Sequence, residues 1–474
     1  MTETTSAPFR RVAVIGAGPA GVYASDILQR SEQGENIAID LFDRYPAPFG
    51  LIRYGVAPDH PRIKGIIKAL HKVMERGGIR FIGNVDYGRD VTLEELKKHY
   101  DAVIFATGAI DDAALNIPGI DLEGSYGAAD FVSWYDGHPD YPREWPLEAE
   151  QVAVLGNGNV ALDVARVVSK HADDLLETEI PDNVYEGLKA SPVKDVHVFG
   201  RRGPAQVKFT PLELRELSHS KDVDIVLYEE DFEFDEASDE SIKTNNQVKT
   251  MVNTLANWLV EQEERTEEAS RKLHLHFLHQ PVEIIEGRNE DGSGTGKVAG
   301  IRFERMELDG NARAKSTGEY VEYPVQAVYR AVGYFGSPLA DVPFDSEKGV
   351  IPNDGGRVLD ETGSQVEGIY ATGWIKRGPV GLIGHTKGDA LETINNLLED
   401  FPNLPGAEQR DSDVVELLES RSVQTTSWEG WLSLDEHERK LGETFTLPGG
   451  EARERIKVVE REEMVSVSRG VTAS

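Results

Sequence analysis

Residues 11–30 read RVAVIGAGPAGVYASDILQR: a short Val/Ile-rich run, a glycine-rich turn, then a mixed apolar and polar stretch. The first part has the content of a buried strand, and the last part the spacing of a helix. Between them, Gly16-x-Gly18-x-x-Gly21 marks the tight turn of a βαβ unit. The first glycine permits the bend, the second lets a pyrophosphate approach the backbone, and the third lets the helix pack close. Phosphates then face free N–H groups and the positive end of the helix dipole. A second strand, NIAIDLFD, ends on Asp43, which is placed to accept hydrogen bonds from an adenosine ribose. Spacing alone leaves NAD and FAD both open for this turn.

The pattern restarts at residue 151, where QVAVLG, NGNVA and LDVARVVSK repeat strand, turn and helix. Gly156-Asn157-Gly158-Asn159-Val160-Ala161 carries alanine in third place, which the motif tolerates. The following strand, DVHVFG, ends not on an acid but on Arg201-Arg202. An acid there would repel a 2′-phosphate, whereas two guanidiniums can grip it with forked, charge-assisted bonds. On its own the arginine pair would read as a solvated turn; its place after this strand makes it an NADP signal. The economical assignment is FAD at the first turn and NADPH at the second.

Working outward, GIYATGW at 368–374 echoes VIFATG at 103–108, so the first domain resumes late in the chain. The expected fold is α/β, with two Rossmann-like dinucleotide-binding domains of the disulfide-reductase-like flavoprotein type. Residues 1–108 and 331–474 are expected to form the FAD-binding domain, with the NADP-binding domain, 109–330, inserted into it. PAPFGLIRYGVAPDHPR (46–62) reads as an ordered loop without regular structure, and VEYPVQAVYRAVGY (321–334) as a buried strand. The acidic chain beyond about residue 400 reads as a surface-packed arm. Within it, SWEGWLSLDEHERK (427–440) reads as a helix with its aromatics turned inward.

Composition narrows the chemistry. The 474 residues contain no cysteine, which excludes disulfides, cluster ligation by this chain and thiol catalysis. Redox work must then fall to an organic cofactor. A net charge of −33 argues against nucleic acid, and no apolar run reaches the roughly 20 residues of a membrane helix. Charge is uneven: ten acids lie between Lys221 and Lys243, while eight Lys/Arg face only Asp59 and Glu75 between Arg44 and Arg80. His274, His276 and His279 suggest a metal, but strand alternation sends His279 to the opposite face and no carboxylates complete a set; no metal site is expected.

The strings GAGPAG, PFGLIRYGVAPDH, GNGNVALDVAR, RRGPAQVKFTPLELRE and GWIKRGPVGLIGH resemble adrenodoxin reductase and the adrenodoxin-reductase-type ferredoxin–NADP reductases. The resemblance implies an enzyme that passes hydride from NADPH to FAD and then single electrons to an iron–sulfur ferredoxin. Carried over by motif, flavin contacts are Gly16, Ala17, Gly18, Ala20, Gly21, Asp43, Leu51, Val85, Trp374, Gly381, Leu382 and Ile383. NADP contacts are Asn157, Gly158, Asn159, Val160, Arg201, Arg202, Glu213 and again Gly381. His60, Asp163 and Glu216 are the expected active-centre residues, acting in proton handling or charge tuning, with plain structural hydrogen bonding as the alternative. A disulfide reductase is excluded by the missing cysteines; an NADPH-dependent flavin monooxygenase or oxidase stays open. The expected partner is an acidic ferredoxin docking on a basic patch drawn from residues 44–80, Arg201, Arg202, Lys208, Lys376 and Arg377. A cytoplasmic or trimmed organellar protein, monomeric or weakly dimeric, is expected.

Overall fold

The computed structural model describes residues 9–381, 383–409 and 412–470. The chain forms two compact units: Met1–Asp111 with Asp136–Asp140 and Tyr334–Ser474, and Asp112–Tyr135 with Tyr141–Gly333.

The first unit is built on a seven-stranded sheet in the order Asn353–Asp354, Arg357–Leu359, Gln365–Ala371, Ala102–Phe105, Arg10–Ile15, Ile37–Phe42, Ile79–Ile82. The last five strands run parallel, and the first two are antiparallel additions at one edge. Val12, Val14 and Leu41 point to one buried face and Ala13, Ile15 and Phe42 to the other, as expected of a sheet covered on both sides. The opening strand lies between Ile37–Phe42 and Ala102–Phe105, so the chain departs to opposite sides of it and its end is a topological switch point.

The second unit repeats this plan. Six parallel strands run in the order Ser125–Gly127, Ala327–Arg330, Gln151–Leu155, Asp195–Phe199, Arg271–His276, Val223–Leu227. Gln151–Leu155 again lies inside the sheet, between Asp195–Phe199 and Ala327–Arg330, and again carries a glycine turn at its end. A separate antiparallel sheet of His279–Arg288, Gly294–Leu308 and Ala314–Tyr323 adds Ile284, Ile301 and Phe303 to this unit's core.

Three readings need correction. The stretch 321–334 is not one strand: Tyr323 ends an exposed hairpin, and only Ala327–Arg330 is buried in the parallel sheet, because Pro324 cannot donate to a ladder. The 46–62 segment does contain regular structure, a single helical turn at Leu51–Tyr54 and the start of another at Pro61–Lys64. His279 is not sent away from His276. Leu278 adopts a left-handed φ of 58°, the chain turns, and the two imidazoles lie 5.4 Å apart.

Candidate functional site

Each fingerprint turn opens a helix whose N-cap is a glycine making no side-chain cap: Gly18 before Pro19–Gln29, and Gly158 before Asn159–Ser169. Elsewhere Thr92, Thr210, Asp235, Asn245, Asp413 and Ser427 cap their helices with a side-chain oxygen. The two fingerprint helices thus present first-turn N–H groups that no capping side chain satisfies, which suits a phosphate ligand.

At the first turn the glycines are enforced by backbone. Gly16 has φ 110°, and an added Cβ would sit 2.5 Å from the Ala106 carbonyl oxygen. A Cβ on Gly21 would overlap the carbonyl oxygen of Gly16. Gly50 closes the turn from outside: its hypothetical Cβ would lie 3.1 Å from the Gly18 Cα, while the neighbouring Phe49 N–H donates to the Ala17 carbonyl at 2.8 Å. Phe49 itself holds φ 83°, a conformation that costs a non-glycine residue about 1–3 kcal/mol and persists only when packing imposes it. Leu51 follows, half-buried, and Ala20 lies against Gly373, whose Cβ would meet the Ala20 methyl at 2.6 Å.

Asp43 is buried at the end of its strand. One carboxylate oxygen accepts the Ala17 N–H at 2.8 Å and the other the Tyr45 N–H at 2.9 Å, while the Val85 N–H donates to the Asp43 carbonyl at 2.9 Å. Burial outweighs these donors and raises the Asp43 carboxyl to about 6. Trp374 is half-buried with its ring 5.9 Å from Tyr334. Gly381 is exposed at φ 88°, Leu382 lies outside the described residues, and Ile383 opens the helix Ile383–Asp400 with its side chain likewise undescribed.

The second turn is more open. A Cβ on Gly156 would overlap the Ala331 carbonyl oxygen, but one on Gly158 would meet nothing within 4 Å. The Asn157 carbonyl accepts from the N–H groups of Lys208 and Phe209 at 2.9 and 3.1 Å, and Asn159 Oδ1 accepts from Thr210 N–H at 3.0 Å. Val160 is half-buried in the first turn of the helix. The segment after Arg201-Arg202 is thereby tied to the glycine turn. Arg201 is exposed and Arg202 half-buried, and among the described residues neither guanidinium has a hydrogen-bond or ion-pair partner. Two unpaired guanidiniums in a protein with 83 acids are what a dianionic phosphate site would require.

The expected active-centre residues fare unequally. His60 is buried in the first unit. In the second, the buried carboxylates of Asp163 and Glu213 come within 4.8 Å of one another, and Arg166 donates to Asp163 at 2.8 Å. Glu216 instead lies half-buried beside the exposed His219, its carboxylate 3.3 Å from Nδ1. The buried partner of Asp163 on this helix is therefore Glu213.

Two readings of charge and metal change. Arg53, Lys64 and Lys376 are buried, 3%, 9% and 7% exposed; Arg53 pairs with Glu438 through both terminal guanidinium nitrogens and Lys376 with Asp389 and Glu392, so none of the three can dock a partner. The histidine cluster gains a member that sequence order hid: His197, on the strand paired with Arg271–His276, stacks on His274 at 4.2 Å. His274 lies between Tyr228 Oη at 2.8 Å and Asp195 at 3.0 Å, and His197 between Gln151 at 3.1 Å and His276 at 3.0 Å. The ring nitrogens of these three histidines lie within 4.8 Å of one another, but they are engaged by Tyr228, Asp195, Gln151 and each other, so the cluster reads as a hydrogen-bonded polar core. Burial lowers His197 to about 3 and His279 to about 4.

The pyridine nucleotide-disulphide oxidoreductase family model matches residues 10–255. NADPH-ferredoxin reductase FprA of Mycobacterium tuberculosis is 40% identical over 97% of this chain and 99% of its own. The mitochondrial NADPH:adrenodoxin oxidoreductase of Homo sapiens is 36% identical over 96% of this chain and 91% of its own. The chain belongs to this reductase family. The solved structure of Mycobacterium tuberculosis FprA in complex with NADPH superposes with a TM-score of 0.84 at 37% identity, covering 98% of this chain and all of that one. Family membership does not bring thiol chemistry with it, since this chain has no cysteine. Among the described residues no helix is long and apolar enough to cross a membrane.

Proposed function

We propose that this chain is an NADPH–ferredoxin reductase, with FAD at the Gly16–Gly21 turn and NADPH at the Gly156–Ala161 turn. The observation that carries the reading is the chemical inequality of the two turns: a buried acid ends one, two unpaired arginines end the other. Bound FAD would accept a hydride from the nicotinamide and give up its electrons one at a time, which couples NADPH to a one-electron iron–sulfur carrier.

The chain's own residues bind and orient. Gly16, Gly18 and Gly21 keep the backbone clear for a pyrophosphate. Asp43, held by two backbone donors, faces a ribose, with Ala17, Leu51 and Val85 around it. Arg201 and Arg202 take the 2′-phosphate, and Asn157, Gly158, Asn159 and Val160 the nearby phosphates. Trp374 and Gly381 are assigned to the reacting end, where a residue without a side chain permits close approach of two flat rings. Hydride transfer needs no general base, so His60, Asp163 and Glu213 are assigned to tuning charge. Residues 1–108 and 331–474 are read as the FAD-binding domain, and 109–330 as the NADP-binding domain. With Arg53 and Lys64 buried, docking of an acidic ferredoxin falls in the first unit to Lys68 and Lys72, exposed cations that have no acid partner among the described residues.

The test is NADPH oxidation by purified protein with and without an added iron–sulfur ferredoxin. Ferredoxin reduction coupled to NADPH oxidation is expected; NADPH consumption coupled instead to an oxygenated organic product would replace this reading with a monooxygenase.

A further inference from the structure

The strained loop beside the first turn is held by a part of the chain nearly 400 residues away. Phe49, the residue at φ 83°, packs edge-on against Trp428 at 6.3 Å and Trp431 at 5.8 Å, both on the helix Trp428–Glu443. Trp431 also donates from Nε1 to His71 at 3.2 Å, so the aromatic wall is itself fixed. The next helical turn, Leu51–Tyr54, is anchored by charge. The Arg53 guanidinium lies over the Trp431 ring at 5.2 Å and makes a two-pronged pair with Glu438, a residue with no exposed surface. Glu438 also accepts the Val458 N–H at 3.0 Å. Lys457, buried, donates to the Arg53 carbonyl at 2.7 Å and the Asp136 carbonyl at 3.0 Å. Lys64 reaches the Ile52 carbonyl at 3.3 Å.

These groups are costly to bury and poor choices if stability alone were served, because well-packed apolar residues of similar volume would do as well or better. What ion pairs and lysine–carbonyl bonds provide is a fixed register between two segments. Here the segment fixed is the one that meets Ala17 and Gly18 and carries Leu51.

We propose that the C-terminal arm, residues 427–468, is a clamp that sets loop 45–54 against the first glycine turn and so retains the flavin, with Glu438 and Lys457 as its positioning residues. The inference rests on FAD occupying that turn. The clamp explains why an arm remote in sequence carries a buried carboxylate on a largely charged helix and a buried lysine on the strap that follows it. It also gives the strained Phe49 backbone a reason to persist: the tryptophan wall holds it where the turn needs it.

The test uses flavin-loaded protein and the variants Glu438→Gln and Lys457→Met. Three quantities are read: flavin per protein from the 450 to 280 nm absorbance ratio, the rate of FAD release from its fluorescence, and thermal midpoints with and without FAD. Release at least about tenfold faster is expected, with the stabilisation by FAD reduced while NADP+ binding at the other turn is unchanged. Equal loss of midpoint with and without FAD, or release at the wild-type rate, would overturn the clamp. Should neither variant fold, Trp428→Leu, at the rim of the arm, is read by the same criteria. Wild-type protein that purifies without flavin removes the functional reading itself, whereas tightly loaded variants remove only the clamp.

Discussion

The two glycine turns share one architecture and differ in how tightly the protein closes around them. The first is boxed in: carbonyl oxygens stand where Gly16 and Gly21 would carry a Cβ, Gly50 seals the outside, and Asp43 is buried. The second holds Gly156 as tightly, against the Ala331 carbonyl oxygen, but leaves space around Gly158 and ends in an exposed and a half-exposed arginine. A closed cradle suits a ligand that stays, and an open, charged one suits a ligand that comes and goes. The same fold therefore serves a resident cofactor and a consumed substrate, and the difference lies in packing as much as in charge.

The sharpest way to break this contrast is at the third and second glycines. Gly21→Ala must displace backbone, so the protein is expected to purify without flavin, read as a missing 450 nm band. Gly158→Ala has room for its methyl, so it should keep its flavin and lose only NADPH affinity. Equal flavin loading in both would end the distinction.

Next in size is the arginine pair. Replacing Arg201 and Arg202 with alanine removes phosphate hydrogen bonds that, at an exposed and a half-buried position, are worth about 1–1.4 kcal/mol each. Affinity for NADPH should fall roughly 30–100-fold while affinity for NADH stays level, measured by titration. A parallel loss for both nucleotides would show that the arginines do not read the 2′-phosphate.

The histidine cluster of the second unit and Asp43 of the first should also answer acid with opposite sign. Histidines in the second unit sit below their ordinary 6.5, to about 3 at His197 and about 4 at His279. The unfolded chain takes up protons first as pH falls below 6.5, so this unit loses stability between about pH 6.5 and 3. Asp43 is raised from 3.8 to about 6, so its contribution is present below about pH 3.8 and lost as pH rises through 6. Thermal melts should show the second unit falling by roughly 5–10 °C between pH 7.5 and 4.5. His276→Phe, which preserves the stack on Phe199 and Tyr228, should lessen that fall. An unchanged pH response in this variant would remove the cluster as its source.

The smallest effect concerns the partner. Lys68→Glu with Lys72→Glu should slow ferredoxin reduction a few-fold at low salt, with little effect at high salt, and spare NADPH-dependent ferricyanide reduction. A salt-independent rate in the wild type would contradict electrostatic docking.

What the sequence made legible is what chain-local physics controls. Glycine spacing, the strand before it and the residue ending the next strand all lie within about fifty residues, so both turns and their unequal chemistry could be read directly. What it hid depends on pairing across the fold. His197 joins His274 only because their strands are neighbours in the sheet. Glu438 sits in a stretch as polar as any surface, and Lys457, though flanked by Ile456, Val458 and Val459, reads as the exposed charge of an apolar run. Arg53 and Lys64 looked like docking cations for the same reason: charge can be counted along the chain, but its desolvation cannot. Glu213 and Glu216 lie on one short helix, and only packing shows which of them faces Asp163.

The central claim, two nucleotide sites made unequal by Asp43 and by Arg201-Arg202, meets its most direct test in one titration. Purified protein is followed at 450 nm under anaerobic conditions while NADPH or NADH is added. A flavin band bleached by NADPH at concentrations tens of times lower than NADH is the predicted result. A colourless protein, or equal bleaching by both nucleotides, would contradict it.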